Sequence, residues 1–222
     1  MKKLVFMVLF TALSLKMAFA GGVAVGNGGD VIMCSTEVTF KSLDYALTVN
    51  NFGNNIEIPS PQSYRESLTR IESLLKLKYS KLSPSLHEFI ALYQNHDFLK
   101  KYAWRPLRNG VETIIEKPMR IAGPCRTSWG GIQIAQAVIR HPPNSLGRIE
   151  FDFDEDILMS LEQHDPLQLS FLLIHEWLWN FFDDASRLRK VNYFFHSSLF
   201  EKMSPGEVTL VLESQGLKGV NN

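Results

Sequence analysis

The sequence predicts an α+β protein in which a helical hairpin and a small, mostly antiparallel sheet surround one central apolar helix. Three patterns predict it. Apolar residues recur at helical spacing from Tyr64 to Leu75 and again from Leu86 to Phe98. A middle region punctuated by Gly and Pro carries short alternating apolar runs, and the stretch from Pro166 to Phe182 is apolar almost all round. Period 3.6 marks a half-buried helix, period 2 a half-buried strand, and all-round apolarity a helix that other elements enclose.

At the N-terminus, Lys2 and Lys3 precede a predominantly apolar run from Leu4 to Leu15, followed by Lys16, Met17, Ala18, Phe19 and Ala20. That is the order of a secretory signal peptide, with small residues three and one before a cut after Ala20. The run is too short for a hydrocarbon core that needs roughly 20 apolar residues. The expectation is a periplasmic or secreted product with no transmembrane anchor after cleavage. Removal of residues 1–20 takes Lys2, Lys3 and Lys16 with it, leaving 20 basic against 23 acidic residues, a net charge of −3 with His neutral. Such a balance gives no basic footprint for nucleic acid. The remaining 21–222, with 45% apolar residues in the whole chain, has the length and composition of a single domain.

The mature start holds Gly21, Gly22, Gly26, Gly28 and Gly29. It is expected as a flexible arm over about 21–30 that leads into a strand at Val31 to Met33. A dinucleotide loop would need a preceding strand, and the Gly-Gly-x-Gly-x-Asp calcium repeats work as stacked copies, so neither fits. The two cysteines, Cys34 and Cys125, are expected to form a disulfide in an oxidising compartment, two buried thiols being the alternative.

Ser60 and Pro61 are expected to start the first helix of the hairpin, and Ser83 and Pro84 the second, which runs to about Lys101. Strands are expected at Glu112 to Glu116, Ile132 to Ile139 and Arg148 to Phe153, the last alternating Ile149, Phe151 and Phe153 with acidic residues. Asp165 and Pro166 open the central helix, expected to reach Phe182. A further helix is expected from about Ser186 through His196 to Lys202. Ser204 to Glu207 form a capping box for the last one, which ends near Gly216.

The central helix carries His175, Glu176, Trp177, Leu178 and Trp179. Its first two residues match the start of H-E-x-x-H, in which two His one turn apart bind zinc and Glu activates the bound water. Trp179 stands where the second His belongs, and its indole nitrogen has no lone pair for a metal. A substitute site would take His175, Asp183 and His196 as metal ligands and Glu176 as catalytic base. Continued as a helix to Phe182, this segment would also place Glu176, Asn180 and Asp183 on one polar stripe needing partners, with Arg187, Arg189 or Tyr193 as candidates. Trp177, Trp179, Phe181 and Phe182 are either core or an aromatic docking surface.

Gly26, Asn27, Gly28, Gly29, Asp30 and Cys34 after a signal peptide, with Leu172 to Trp179, Asp183, Asp184, Tyr193 and Ser197, resemble an uncharacterised family of exported proteins from predatory bacteria. The resemblance spans most of the mature chain. It implies cell-envelope biology and a partner among envelope or prey-cell components, and brings no activity. His175 and Glu176 alone are similar to zinc peptidases. The expected function is an exported binding or structural module with no cofactor, rather than an enzyme. The alternative is a divergent metal-dependent hydrolase using zinc.

Overall fold

The computed structural model describes residues 29–34, 39–52, 56–95, 102–107, 115–117 and 132–217. Cys125 lies outside them, as does most of the glycine-rich start; Cys34 ends a strand. The fold is α+β. Its strands are β1 (Asp30–Cys34), β2 (Thr39–Ser42), β3 (Tyr102–Leu107), β4 (Ile115–Lys117), β5 (Ile132–Gln136), β6 (Val138–Arg140) and β7 (Ile149–Asp154). The described helices are α1 (Leu43–Phe52), α2 (Tyr64–Lys78), α3 (Ser83–Asn95), α4 (Glu155–His164), α5 (Pro166–Leu178), α6 (Ala185–His196), α7 (Ser198–Lys202) and α8 (Pro205–Ser214).

Where one sheet was expected there are two. The order β2-β1-β5-β4 is antiparallel throughout, while β3-β7-β6 joins β3 to β7 in parallel and β6 to β7 antiparallel. The expected strand from Ile132 to Ile139 is divided between them at Ala137. Gly29 causes the division: its carbonyl accepts from both Ala137 N, at 2.7 Å, and Val138 N, at 3.2 Å. A β-carbon on Gly29 would lie 2.5 Å from the Val138 carbonyl oxygen, and its φ is +68°. Gly29 and Asp30 are therefore not the end of a flexible arm. One is a buried junction between sheets and the other opens β1.

The hairpin is present as α2 and α3, with corrected ends. Ser63, not Ser60, caps α2: its Oγ accepts from Glu66 N at 3.1 Å, while Glu66 accepts from Gln62 N at 2.6 Å. The segment from Glu155, which the sequence left unassigned, is α4. The Asp154 side chain caps it by accepting from Ile157 N at 3.0 Å. The helix expected to run to Lys202 breaks at Ser197, where Ser198 N donates to Glu57 O and Arg70 donates to the carbonyls of Phe195 and Ser197. The capping box at Ser204 and Glu207 forms as expected.

Helix α5 is the centre of the molecule, packing against α1, α2, α4, α6 and β2. Every residue from Gln168 to Leu178 is buried, which is what its all-round apolar character requires. It stops four residues short of Phe182 because Asn180 captures the Trp177 carbonyl with both its backbone N, at 3.2 Å, and its side-chain Nδ2, at 2.6 Å. A side-chain amide that competes for a backbone carbonyl ends a helix in this way. The sheet β3-β7-β6 covers an aromatic layer in which Trp104 stacks on Phe151 at 4.4 Å and Phe89 meets both edge-on.

Gly29→Ala is expected to lower unfolding stability by about 2 to 3 kcal/mol, since it adds backbone strain and a clash that neither sheet can relieve. Gly206→Ala, where a β-carbon meets nothing within 4 Å, is expected to stay within about 0.5 kcal/mol of the parent. Urea unfolding of both variants checks the pair.

Candidate functional site

The residues of the H-E segment meet a group that the sequence did not single out, Asp44. It lies in the first turn of α1, is 3% exposed, and sits between α5 and α6. Its Oδ2 is 2.6 Å from His175 Nδ1 and accepts from Asn192 Nδ2 at 2.8 Å. Its Oδ1 accepts from Arg189 Nε at 3.0 Å. Asn192 Nδ2 also donates to Phe171 O, at 2.8 Å, so the same amide holds α6 to the backbone of α5. Burial by itself would raise the Asp44 pKa. The His175 ring, with Asn192 and Arg189, more than reverses this and holds the carboxyl below its ordinary range.

His175 has both ring nitrogens engaged. Nδ1 faces Asp44, and Nε2 accepts from the indole N–H of Trp179 at 2.9 Å. The two partners fix the neutral tautomer with the proton on Nδ1. Burial opposes protonation of the ring, yet the Asp44 carboxylate outweighs it and sets the pKa above the ordinary value. Protonating Nε2 also requires breaking the Trp179 bond. The residue that replaces the second His of H-E-x-x-H thus occupies the lone pair a metal would use.

Glu176, about 100° further round α5, is fully buried. Among the described residues neither of its carboxyl oxygens has a hydrogen-bond partner. Burial pushes its pKa up to about 7, against the opposing charges of His175 and Arg140 and with the help of Asp44 and Asp30. Arg140, on β6, donates from Nη2 to Asn180 Oδ1 at 3.3 Å. Burial lowers its pKa, and Glu176 partly offsets that.

The remaining candidates do not converge on His175. Asn180 and Asp183 both lie beyond the end of α5 at Leu178, Asp183 exposed, so only Glu176 of the expected stripe stands on the helix. Asn180 Oδ1 accepts from Arg140 of the sheet; Arg189 instead binds Asp44, and the backbone N of Arg187 caps α6 on Asp184. His196 stacks on Phe171 with ring centroids 3.8 Å apart. Its Nδ1 donates to Asn192 O at 2.9 Å, and its Nε2 is 2.7 Å from Ser170 Oγ, which in turn is 2.9 Å from Ser67 Oγ. Burial drives its pKa down to about 3. Among the described residues no group of three or more His, Cys, Asp or Glu side chains is arranged to hold a metal ion. Of the aromatic cluster, Trp177 and Phe182 are buried in the core, and Trp179 and Phe181 are partly buried against it.

No family model, no curated protein and no solved structure matches this chain.

Sequence reasoning missed Asp44, Arg140, Asn192 and Ser170. For Asp44 a local signal existed: it is a carboxylate flanked by Leu43, Ala46 and Leu47 on the face of a short apolar helix. Its partners are more than 130 residues away.

Two outcomes follow from the charges. Asp44→Ala leaves the Arg189 guanidinium without its buried counter-charge and the His175 and Asn192 donors without their acceptor, and is expected to cost roughly 3 to 5 kcal/mol, measured by chemical denaturation at neutral pH. For Glu176 the folded pKa lies above the unfolded one, so the native state holds the proton longer. Its contribution is full below about pH 4.5 and declines as pH rises to about 7, by on the order of 3 kcal/mol. Glu176→Gln is expected to flatten that segment of the stability–pH profile.

Proposed function

We propose that this chain is exported, cleaved after Ala20, and acts in the bacterial envelope or secretome as a binding or structural module rather than as a metal-dependent hydrolase. One observation carries the second half of this reading. The imidazole of His175, which the H-E pattern makes the metal ligand, has its two nitrogens committed to Asp44 and Trp179. Helices α1, α5 and α6 are thereby tied through the Asp44 carboxylate, which His175, Arg189 and Asn192 share. The absence of a helix long and apolar enough to cross a membrane, among the described residues, is compatible with release of the cleaved chain.

The divergent hydrolase has one observation in its favour, the buried carboxyl of Glu176 with a pKa near that of a general base. In that reading His175 would have to give up Trp179 and recruit Asp183 or His196, which stand away from it.

Metal analysis of protein purified without chelator separates the two. The expected result is no stoichiometric zinc in the wild type, with His175→Ala lowering the melting temperature. Stoichiometric zinc that disappears in His175→Ala would establish the hydrolase reading instead. Export is checked by mass spectrometry of the product expressed with residues 1–20, which is expected to begin at Gly21; an uncleaved chain in the cytoplasm would overturn it.

A further inference from the structure

A cavity lies at the outer edge of β2, outside the Asp44 network. With the strand order β2-β1-β5-β4, β2 pairs on one side only. In an antiparallel pair, successive residues alternate between turning their backbone N–H and C=O to the partner strand and turning them away. Ser42 N donates to the side chain of Gln168 at 2.9 Å, away from β1. Two residues back along the strand, Phe40 therefore also presents its N–H and C=O to the outer edge. Gln168 takes the place of a neighbouring strand at Ser42. Beyond it the edge borders a cavity of about 250 Å³, with Thr39, Phe40 and Lys41 on the strand side and Ser160, His164 and Asp165 where α4 turns into α5.

Two opposite charges stand at this cavity. The Lys41 ammonium favours the ionised Asp165 carboxyl, yet among the described residues the two form no direct ion pair. Burial still raises the Asp165 pKa, against hydrogen bonds from the first turn of α5 and the charge of Lys41, as for a carboxylate short of counter-charge. Asp165 also follows the last residue of α4, where the carbonyl end of a helix favours a cation. A free α-amino acid meets each of these groups. Its carboxylate would accept from Phe40 N–H and face Lys41. Its ammonium would donate to the Phe40 carbonyl, the end of that residue nearer Ser42 and Gln168, and face Asp165. A residue of an added strand makes the same two backbone bonds, but an internal peptide segment carries neither charge. A volume below the roughly 300 to 1,000 Å³ of pockets for drug-sized ligands suits a molecule of this size. We propose that the cleft between the β2 edge and the α4–α5 turn binds a free α-amino acid, paired to Phe40 as a strand residue would be and held between Lys41 and Asp165. This rests on the binding-module reading and gives that module a ligand class.

The test is isothermal titration of the mature chain with each of the standard L-amino acids, followed by amide NMR spectra of the labelled chain with the tightest binder. At least one amino acid is expected to bind and to move the Phe40 amide signal. Its N-acetyl and carboxamide derivatives, each lacking one of the two charges, are expected to bind roughly tenfold to a hundredfold more weakly. Asp165→Asn and Lys41→Met are expected to weaken binding by a similar factor, and Ser160→Trp, which fills the cavity from α4, to abolish it. Binding of none of the standard amino acids, equal binding of the two derivatives, or affinity that all three variants retain would overturn the site. None of these outcomes alters zinc content, on which the binding-module reading is judged separately. Should Ser160→Trp fail to fold, Asp165→Asn and Lys41→Met still decide the question.

Discussion

The structure depends on one carboxylate. Asp44 is removed from water at the start of α1, and a charge in that position is tolerated only if its oxygens are filled and its charge opposed. His175 from α5 and Arg189 and Asn192 from α6 do this, and in doing so they fix where three helices meet. The helix to which Asp44 belongs assists, since a carboxylate in a first turn lies against the positive end of the peptide dipoles. The consequence spreads through Asn192. Its amide donates to both Asp44 and the Phe171 carbonyl, and its backbone carbonyl accepts a hydrogen bond from His196 Nδ1. The polar core is therefore a chain of obligations running from Asp44 to Ser67, and an error at its first member leaves the later ones without a fixed partner.

The H-E segment shows how a local motif can be overruled by what stands one turn away. On pattern alone His175 and Glu176 look like a ligand and a base. In space they have different partners: His175 bonds to Asp44 and Trp179, while Glu176 interacts with the charge of Arg140 on the sheet. The indole of Trp179 is not merely a missing ligand. As a hydrogen-bond donor it requires a lone pair on His175 Nε2, the same lone pair that coordination requires, so the two uses exclude each other.

Much of the architecture was legible because it is written in local period and local caps. The apolar helix from Pro166, the alternating strand at Ile149 to Phe153, and the Ser204–Glu207 box all depend on neighbours within a few residues. Helix α4 was missed because a strand leads directly into it, with Asp154 as both last strand residue and cap. Helix α1 was missed because it is short and carries a buried Asp on its apolar face. The end of α5 was misplaced because the apolar run continues to Phe182 while Asn180, a single amide, ends the helix. The division of the sheets was invisible because it depends on the Gly29 carbonyl meeting Ala137 and Val138, more than a hundred positions further on. The core of the site was hidden for the same reason: no window of sequence contains both Asp44 and His175.

The placement of β1 also sets an order of events in folding. It lies between β2, which follows it at once, and β5, which begins at Ile132. A ribosome must therefore add about a hundred residues after β1 before its second edge can be covered. Until then the earliest strand can form only a two-stranded ribbon with β2, and such ribbons are marginal in water. The Asp44 carboxylate waits still longer, since His175, Arg189 and Asn192 are made later yet. Sheet closure belongs to the second half of synthesis and charge neutralisation to its last quarter, so a nascent chain held short of those points keeps an open strand edge and an acidic helix start available to whatever binds unfolded protein.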